Sequence, residues 1–246
     1  MTTALPSASR DVIGALRGRL VVSCQAREGE PLHGPVHMRA MALSALAGGA
    51  AGLRLEGPDD IAAVRAVTDV PVIGLWKVGG SAVYITPTMA AVHAVADAGA
   101  DIVAVDATGR ARPDGSTLAD VVLAVHESYE RLVMADVATV EQGLAAQAAG
   151  VDLVGSTLSG YTGAGPVPLG PDLDLVAGLA AALTVPVVAE GRISSPSEAA
   201  EALRRGATTV VVGGAITRPA SITARFAGAL DAVRASRPGA EPEVAR

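Results

Sequence analysis

Residues 185–219 read VPVVAEGRISSPSEAAEALRRGATTVVVGGAITRP. An apolar run ending at Ala189 meets Glu190-Gly191-Arg192, and a helix-forming segment follows. A second run, Val210-Val211-Val212, stops at Gly213-Gly214, and Thr217-Arg218-Pro219 opens another helical segment. Two successive strand–loop–helix units therefore carry glycine where the strand ends. Without a Cβ, loop N–H groups approach an anion closely, and a helix N-terminus adds partial positive charge. Paired loops after the seventh and eighth strands of a parallel barrel recur as a phosphate site. Gly191, Arg192, Gly213 and Gly214 are thus candidate phosphate-binding positions. The same turns also serve as plain strand-to-helix connections, and this stretch alone leaves both readings open.

Outward from it, strand and helix alternate along the whole chain. Apolar runs at 20–23, 52–55, 72–75, 102–105, 132–134 and 152–154 read as strands, separated by Ala- and Leu-rich helical segments. Helices repeatedly close on Ala-Gly or Arg-Gly, as at Ala98-Gly99, Ala149-Gly150 and Arg205-Gly206. Continuous apolar strands fit a parallel sheet buried on both faces. Eight βα units in 246 residues match a (βα)8 TIM barrel. The doubly wound alternative lacks a G-x-G-x-x-G after its first strand. No linker divides the chain, so 1–246 reads as one domain, with residues 11–17 a helix capping the barrel's bottom and 237–246 a flexible tail.

Composition narrows the function. Net charge is −6 and aromatics make up only 2% of the chain, so the basic clusters and stacking rings of a nucleic-acid groove are missing. The N-terminus makes a poor signal peptide, and the longest apolar run, 175–189, is too short for a bilayer and contains Pro186. The single cysteine, Cys24, fits a reducing cytoplasm. His33, His37, His93 and His126 make no metal-ligand pattern and read as surface or loop residues. No metal site is expected from them.

Barrel chemistry sits at the strands' C-terminal ends. Those ends here are Gln25, Arg54, Lys77, Asp106, Asp136 and Glu190. A cation beside Lys77 lowers its pKa, as burial does, and a depressed lysine serves as a base or forms a Schiff base. Lysine, carboxylate and phosphate loops together suggest proton abstraction next to a carbonyl of a sugar phosphate. Trp76 alternates with Lys77 and should pack against the helices. The loop 155–171 reads as a cover over the site or as a long turn, its length and glycines favouring mobility over the site.

The stretches VVSCQA (21–26), PVIGLWK (71–77), DATGRARPDG (106–115), GSTLSGYTG (155–163), AEGRI (189–193) and VVVGGAITRP (210–219) resemble the bacterial N-acetylmannosamine-6-phosphate 2-epimerases of sialic acid catabolism, over about 20–226. The resemblance implies a cofactor-independent, usually dimeric barrel. Its substrate would be N-acetylmannosamine 6-phosphate, interconverted with N-acetylglucosamine 6-phosphate. It implies Lys77 as acid/base and Glu190 as partner carboxylate. Gln25, Arg54 and Asp136 would contact substrate and Arg218 the phosphate. Family members often carry Leu-Pro where this chain has Arg27-Glu28, and an arginine where it has Val78. Competing readings are another phosphosugar epimerase, a Schiff-base aldolase through Lys77, and a non-catalytic phosphosugar-binding protein.

Overall fold

The computed structural model describes residues 7–80, 82–163 and 167–236; the expected tail at 237–246 lies outside them. Eight parallel strands close into a barrel in chain order. They are β1 (Leu20–Cys24), β2 (Gly52–Glu56), β3 (Val72–Leu75), β4 (Ile102–Asp106), β5 (Leu132–Asp136), β6 (Leu153–Gly155), β7 (Val187–Glu190) and β8 (Thr209–Val212). Val21 pairs with both Gly52 and Val211, which closes the ring between β1 and β8. The covering helices are α2 (Pro35–Ala47), α3 (Pro58–Arg65), α4 (Met89–Asp97), α5 (Leu118–Tyr129), α6 (Val140–Ala148), α7 (Leu173–Ala182) and α8 (Pro196–Arg204). A short α9 (Gly214–Thr217) and a long α10 (Pro219–Ala235) follow β8.

The strands alternate between two apolar layers, as a barrel requires. Val21, Ile73, Leu75, Ile102, Met134, Val188 and Val211 fill the interior. Val22, Leu53, Leu55, Val103, Val133 and Val210 face the helices, and Trp76 packs against that outer layer as its alternation with Lys77 implies. The N-terminal helix α1 (Ser7–Leu16) begins earlier than the expected residues 11–17. Its Ile13 and Leu16 join the interior cluster, so α1 plugs the bottom of the barrel. Burial of a leucine such as Leu16, 1% exposed, contributes roughly 1.5–3 kcal/mol. Gly52 makes room for it: a Cβ there would lie 2.6 Å from Leu16 Cδ2.

Helix starts at the mouth are fixed by side-chain caps. Thr88, Thr139 and Asp172 each accept a first-turn N–H. Thr117 and Ser195 form capping boxes with Asp120 and Glu198. At the opposite end, Asp101 and Asp152 accept the N–H groups of Val72 and Val133, stapling each strand start to its neighbour. Asp152 also meets His126 Nε2 at 2.8 Å, so His126 is half-buried and paired rather than a free surface histidine.

The hydrogen bond to Asp152 raises the His126 pKa above its ordinary 6.5, against the opposing effect of burial. A raised histidine stabilises the fold fully below its unfolded pKa, and that increment disappears as pH rises through the folded value. His126→Gln should therefore lower Tm more at about pH 5.5 than at about pH 8.5. An equal loss at both pH values would remove the charged pair from the account.

Candidate active site

The barrel mouth holds a cavity of about 490 Å³. Gln25 and Lys77 enter it from the ends of β1 and β3, Glu190 from β7, and Gly213 and Gly214 from the loop after β8. Its ionisable lining is one-sided: Arg27, Arg54, Lys77, Arg192, Arg218 and Arg225 stand against one carboxylate, Glu190. In a chain of net charge −6, that concentration of cations focuses a positive field on the mouth, where an anionic ligand would be drawn.

Arg54 is the floor. It sits at the middle of β2 rather than at its end, because β2 runs on to Glu56. Its neighbours Leu53 and Leu55 turn to the helices, so Arg54 turns inward, where it is 1% exposed. A buried guanidinium must be paired. Nη2 meets Asp136 Oδ2 at 2.5 Å, and Nη1 donates to Glu190 Oε2. Thr157 Oγ1 closes the triangle, donating to Asp136 Oδ1 at 2.6 Å and accepting from Arg54 Nη1 at 3.2 Å. Arg54 Nε is buried with no hydrogen-bond partner among the described residues.

Lys77 is exposed to the open cavity yet crowded by protein on its other sides. That crowding and the Arg54 charge bring its ammonium from 10.5 down to about 8. Arg218 and Arg27 push the same way and Glu56 opposes them. Nζ donates to Gln25 Oε1 at 2.5 Å, while Gln25 Nε2 donates to Ser23 Oγ at 3.0 Å. The lysine, which only donates, sets the amide orientation, and Ser23 accepts from its other side. The Lys77 backbone N–H is held by Glu56 Oε1 at 3.1 Å.

Both glycine loops stand at the mouth. Gly191 has φ 114°, a conformation open to glycine. Gly213 passes close to β1, where a Cβ would lie 3.3 Å from Ser23 Cβ. Gly214 and Ala215 begin α9, so their N–H groups have no partner within that helix. Arg218 reaches the cavity from the α9–α10 junction, its Nη2 3.4 Å from Glu30 Oε1.

Three residues are placed differently from their sequence reading. Asp136 is 0% exposed and lies beneath Arg54, outside the cavity lining. Burial pushes its carboxyl up, and Arg54 and Thr157 pull it back. It holds Arg54 from below the cavity. Arg192 spends its guanidinium on the long loop: Nε donates to Gly170 O at 2.7 Å and Nη1 to Ser159 O at 2.5 Å. The same group lies 5.5 Å above the Tyr161 ring. Through Nε and Nη1 it ties Gly170 and Ser159 to the end of β7. Asp106 ends β4 but folds back on Thr108 and Arg110 instead of joining the mouth. Ser23, Glu56, Ser156 and Thr157 carry no mark in the sequence, although Ser156 Oγ holds the Glu190 backbone at both its carbonyl and its N–H.

Closed parallel strands, a cationic mouth, a depressed lysine and paired glycine loops define a (βα)8 barrel with an anionic-substrate site. The family model described as "Putative N-acetylmannosamine-6-phosphate epimerase" matches residues 38–232, and the chain belongs to that family. A protein of Caldanaerobacter subterraneus described as "Putative N-acetylmannosamine-6-phosphate 2-epimerase" is 51% identical over 219 residues, 88% of this chain and 92% of its own. One of the same description from Cutibacterium acnes is 48% identical, covering 89% and 96% of the two chains. The solved structure of the N-acetylmannosamine-6-phosphate 2-epimerase from Clostridium perfringens superposes with a TM-score of 0.85 at 42% identity, over 88% of this chain and 95% of that one.

Proposed function

We propose that this protein interconverts N-acetylmannosamine 6-phosphate and N-acetylglucosamine 6-phosphate by removing and returning the proton on C2. The observation that carries this reading is Lys77, brought down to about 8 and open to a cavity whose other charged lining residues are five arginines and Glu190. At neutral pH a useful fraction of such a lysine is neutral and able to take a proton. Opening of the sugar ring exposes the C1 aldehyde, which makes the C2 proton acidic. Lys77 takes that proton, the electron pair moves into the C1–C2 bond, and the carbonyl oxygen becomes the anion of an enolate that keeps the acetamido group on C2. Return of a proton to the opposite face inverts C2. Glu190 lies across the mouth, held by Arg54 and Ser156, and serves the hydroxyl proton transfers of ring opening. Incubation with N-acetylmannosamine 6-phosphate, followed by NMR, tests the reaction; failure to form the C2 epimer would overturn it.

The phosphate is assigned to the Gly191 and Gly213-Gly214 loops and to Arg218. An arginine–phosphate contact is charge-assisted and strong. Arg218→Ala should raise KM about tenfold or more with a smaller change in kcat. Equal activity of the wild-type protein on unphosphorylated N-acetylmannosamine would contradict the assignment.

We also propose that the protein is a cytoplasmic homodimer. None of the described residues of the 17-residue α10 is buried. Phe226, Leu230 and Val233 are 71%, 68% and 55% exposed, and their spacing sets them in one stripe. Beside α8, the outer face of β1 and β8 leaves a groove of about 430 Å³ lined by Leu20, Pro196, Leu203, Val210, Val212 and Ile216. Monomers rarely leave such surfaces open, and the α10 stripe of a second copy matches the groove in character. Light scattering should give a dimer for the wild-type chain and a monomer for Phe226→Asp/Leu230→Asp; a monomeric wild type would refute this pairing. The phosphorylated substrate and the buried thiol of Cys24, pushed by burial to about 12 and so inert, fit the cytoplasm.

A further inference from the structure

Lys77 stands just past the end of β3, where the barrel no longer holds the chain on both sides. The register of β3 with β4 runs from Ile73–Ile102 to Gly74–Val103 and stops there. Residues 84–86 enter the seam instead. The Asp106 N–H donates to Ile85 O at 3.1 Å, and Lys77 and Ile85 form an antiparallel bridge. The Val78 N–H donates to Tyr84 O at 3.1 Å, and the Thr86 N–H to Trp76 O at 2.7 Å. The backbone before and after Lys77 is therefore held by this one segment.

Thr86 closes the segment in a conformation that costs energy. Its φ is 45°, a left-handed value that makes a β-branched residue an outlier. Such strain persists where the surroundings over-determine it, and here they do. Thr86 is 0% exposed. Its hydroxyl donates to Ala104 O on β4 at 2.6 Å and accepts the Trp76 N–H at 3.1 Å. Its carbonyl accepts from Arg112 Nη2 at 2.5 Å. Glycine would sit at this φ without steric cost, but it would bring no hydroxyl to the seam.

We propose that Thr86 is the positioning residue for Lys77: its hydroxyl ties the Trp76 N–H to the Ala104 carbonyl and so fixes the backbone from which Lys77 reaches Gln25. Thr86 does not line the cavity, and it acts only through the lysine. With the hydroxyl gone, the Trp76 N–H loses that acceptor, the turn slackens, and Nζ leaves Gln25 Oε1 and the Arg54 charge for water. The consequence for turnover rests on the C2-epimerase reading. The placing of the lysine does not, and it has its own readout. Lys77 is the only lysine in the chain, so protein made with isotopically labelled lysine gives one side-chain signal, whose titration reports this residue alone. The charges that act on it are those of Arg54, Glu56, Arg218 and Arg27, and a substitution at Thr86 changes none of them.

The test follows kcat and KM for N-acetylmannosamine 6-phosphate, and the Lys77 titration by NMR, in the wild type and in Thr86→Ser, Thr86→Val and Thr86→Gly. Thr86→Ser keeps the hydroxyl and should retain kcat within about threefold, with Lys77 still titrating near about 8. Thr86→Val and Thr86→Gly should lose about 10–100-fold in kcat, the scale of a small misplacement of a reacting group. KM should change by less than about threefold, since the phosphate loops are untouched. In both variants the Lys77 titration should move up from about 8 toward the ordinary 10.5. Thr86→Gly also relieves the strained φ, so it should hold its Tm better than Thr86→Val, and it decides the matter if the valine variant does not fold. Three results would each overturn the proposal: a glycine variant with wild-type kcat, one that loses kcat while Lys77 titrates unchanged, or a serine variant as impaired as the glycine one. If the wild type turns over no N-acetylmannosamine 6-phosphate, the epimerase reading falls and the titration alone decides. An unmoved Lys77 in Thr86→Gly would then overturn the proposal, and a raised one would uphold it.

Discussion

Lys77→Ala should abolish epimerisation while leaving the barrel folded. Lys77 is exposed to the cavity, and its side chain supports no apolar layer. Its removal takes away the one group at the mouth that combines reach with a pKa near neutrality. Loss of a general base typically costs about 10²–10⁴-fold, and here no second amine lines the cavity to replace it. Lys77→Arg should fail as well, because a guanidinium stays protonated at any working pH. The wild-type kcat/KM should rise with pH through about 8 as Lys77 loses its proton. That rise follows from the direction of the shift: burial and Arg54 lower the lysine and therefore enlarge its neutral fraction. Arg54→Met would remove the neighbouring charge and should move the rise to higher pH. A pH profile unchanged in that variant would mean that Arg54 acts only as structure.

Glu190→Gln should reduce kcat by about 10²-fold or more. The substitution keeps size and removes basicity, and it leaves Arg54 with only Asp136 as a counter-charge. Two consequences separate by measurement. Lost proton transfer appears in kcat, whereas a disturbed Arg54 network appears in Tm, since breaking one partner of a buried pair is costly. A Glu190→Gln enzyme with near-normal kcat and reduced Tm would make Glu190 a counter-ion and no more.

The sequence made the barrel readable because its signals are local. Apolar runs ending in a polar residue, helix ends closing on glycine, and the Gly191 and Gly213-Gly214 turns each show within a few positions. Gln25, Lys77, Glu190 and Arg218 were legible for the same reason, being strand-end or loop residues of the right chemistry. The floor was not. Arg54 reaches Asp136 and Glu190 across 82 and 136 positions, and Thr157 joins them across 103. A threonine in a loop carries no local mark of such a bond. Arg54 reads as a strand end only when β2 stops at Leu55; the strand runs on to Glu56, and Leu53 and Leu55 flanking Arg54 imply its inward side chain. Asp106 had a warning in the sequence: an aspartate two residues before a threonine folds readily onto its own turn, as it does here. Arg192 gave none, since its acceptors are the carbonyls of Ser159 and Gly170 in the preceding loop.

The most direct test of C2 proton abstraction by Lys77 is turnover in D₂O without added nicotinamide, with the sugar C2 signal followed by NMR. The wild-type enzyme should place deuterium at C2 as the epimer forms, and Lys77→Ala should give neither epimer nor label. A Lys77→Ala enzyme that forms the epimer at close to the wild-type rate would contradict the account.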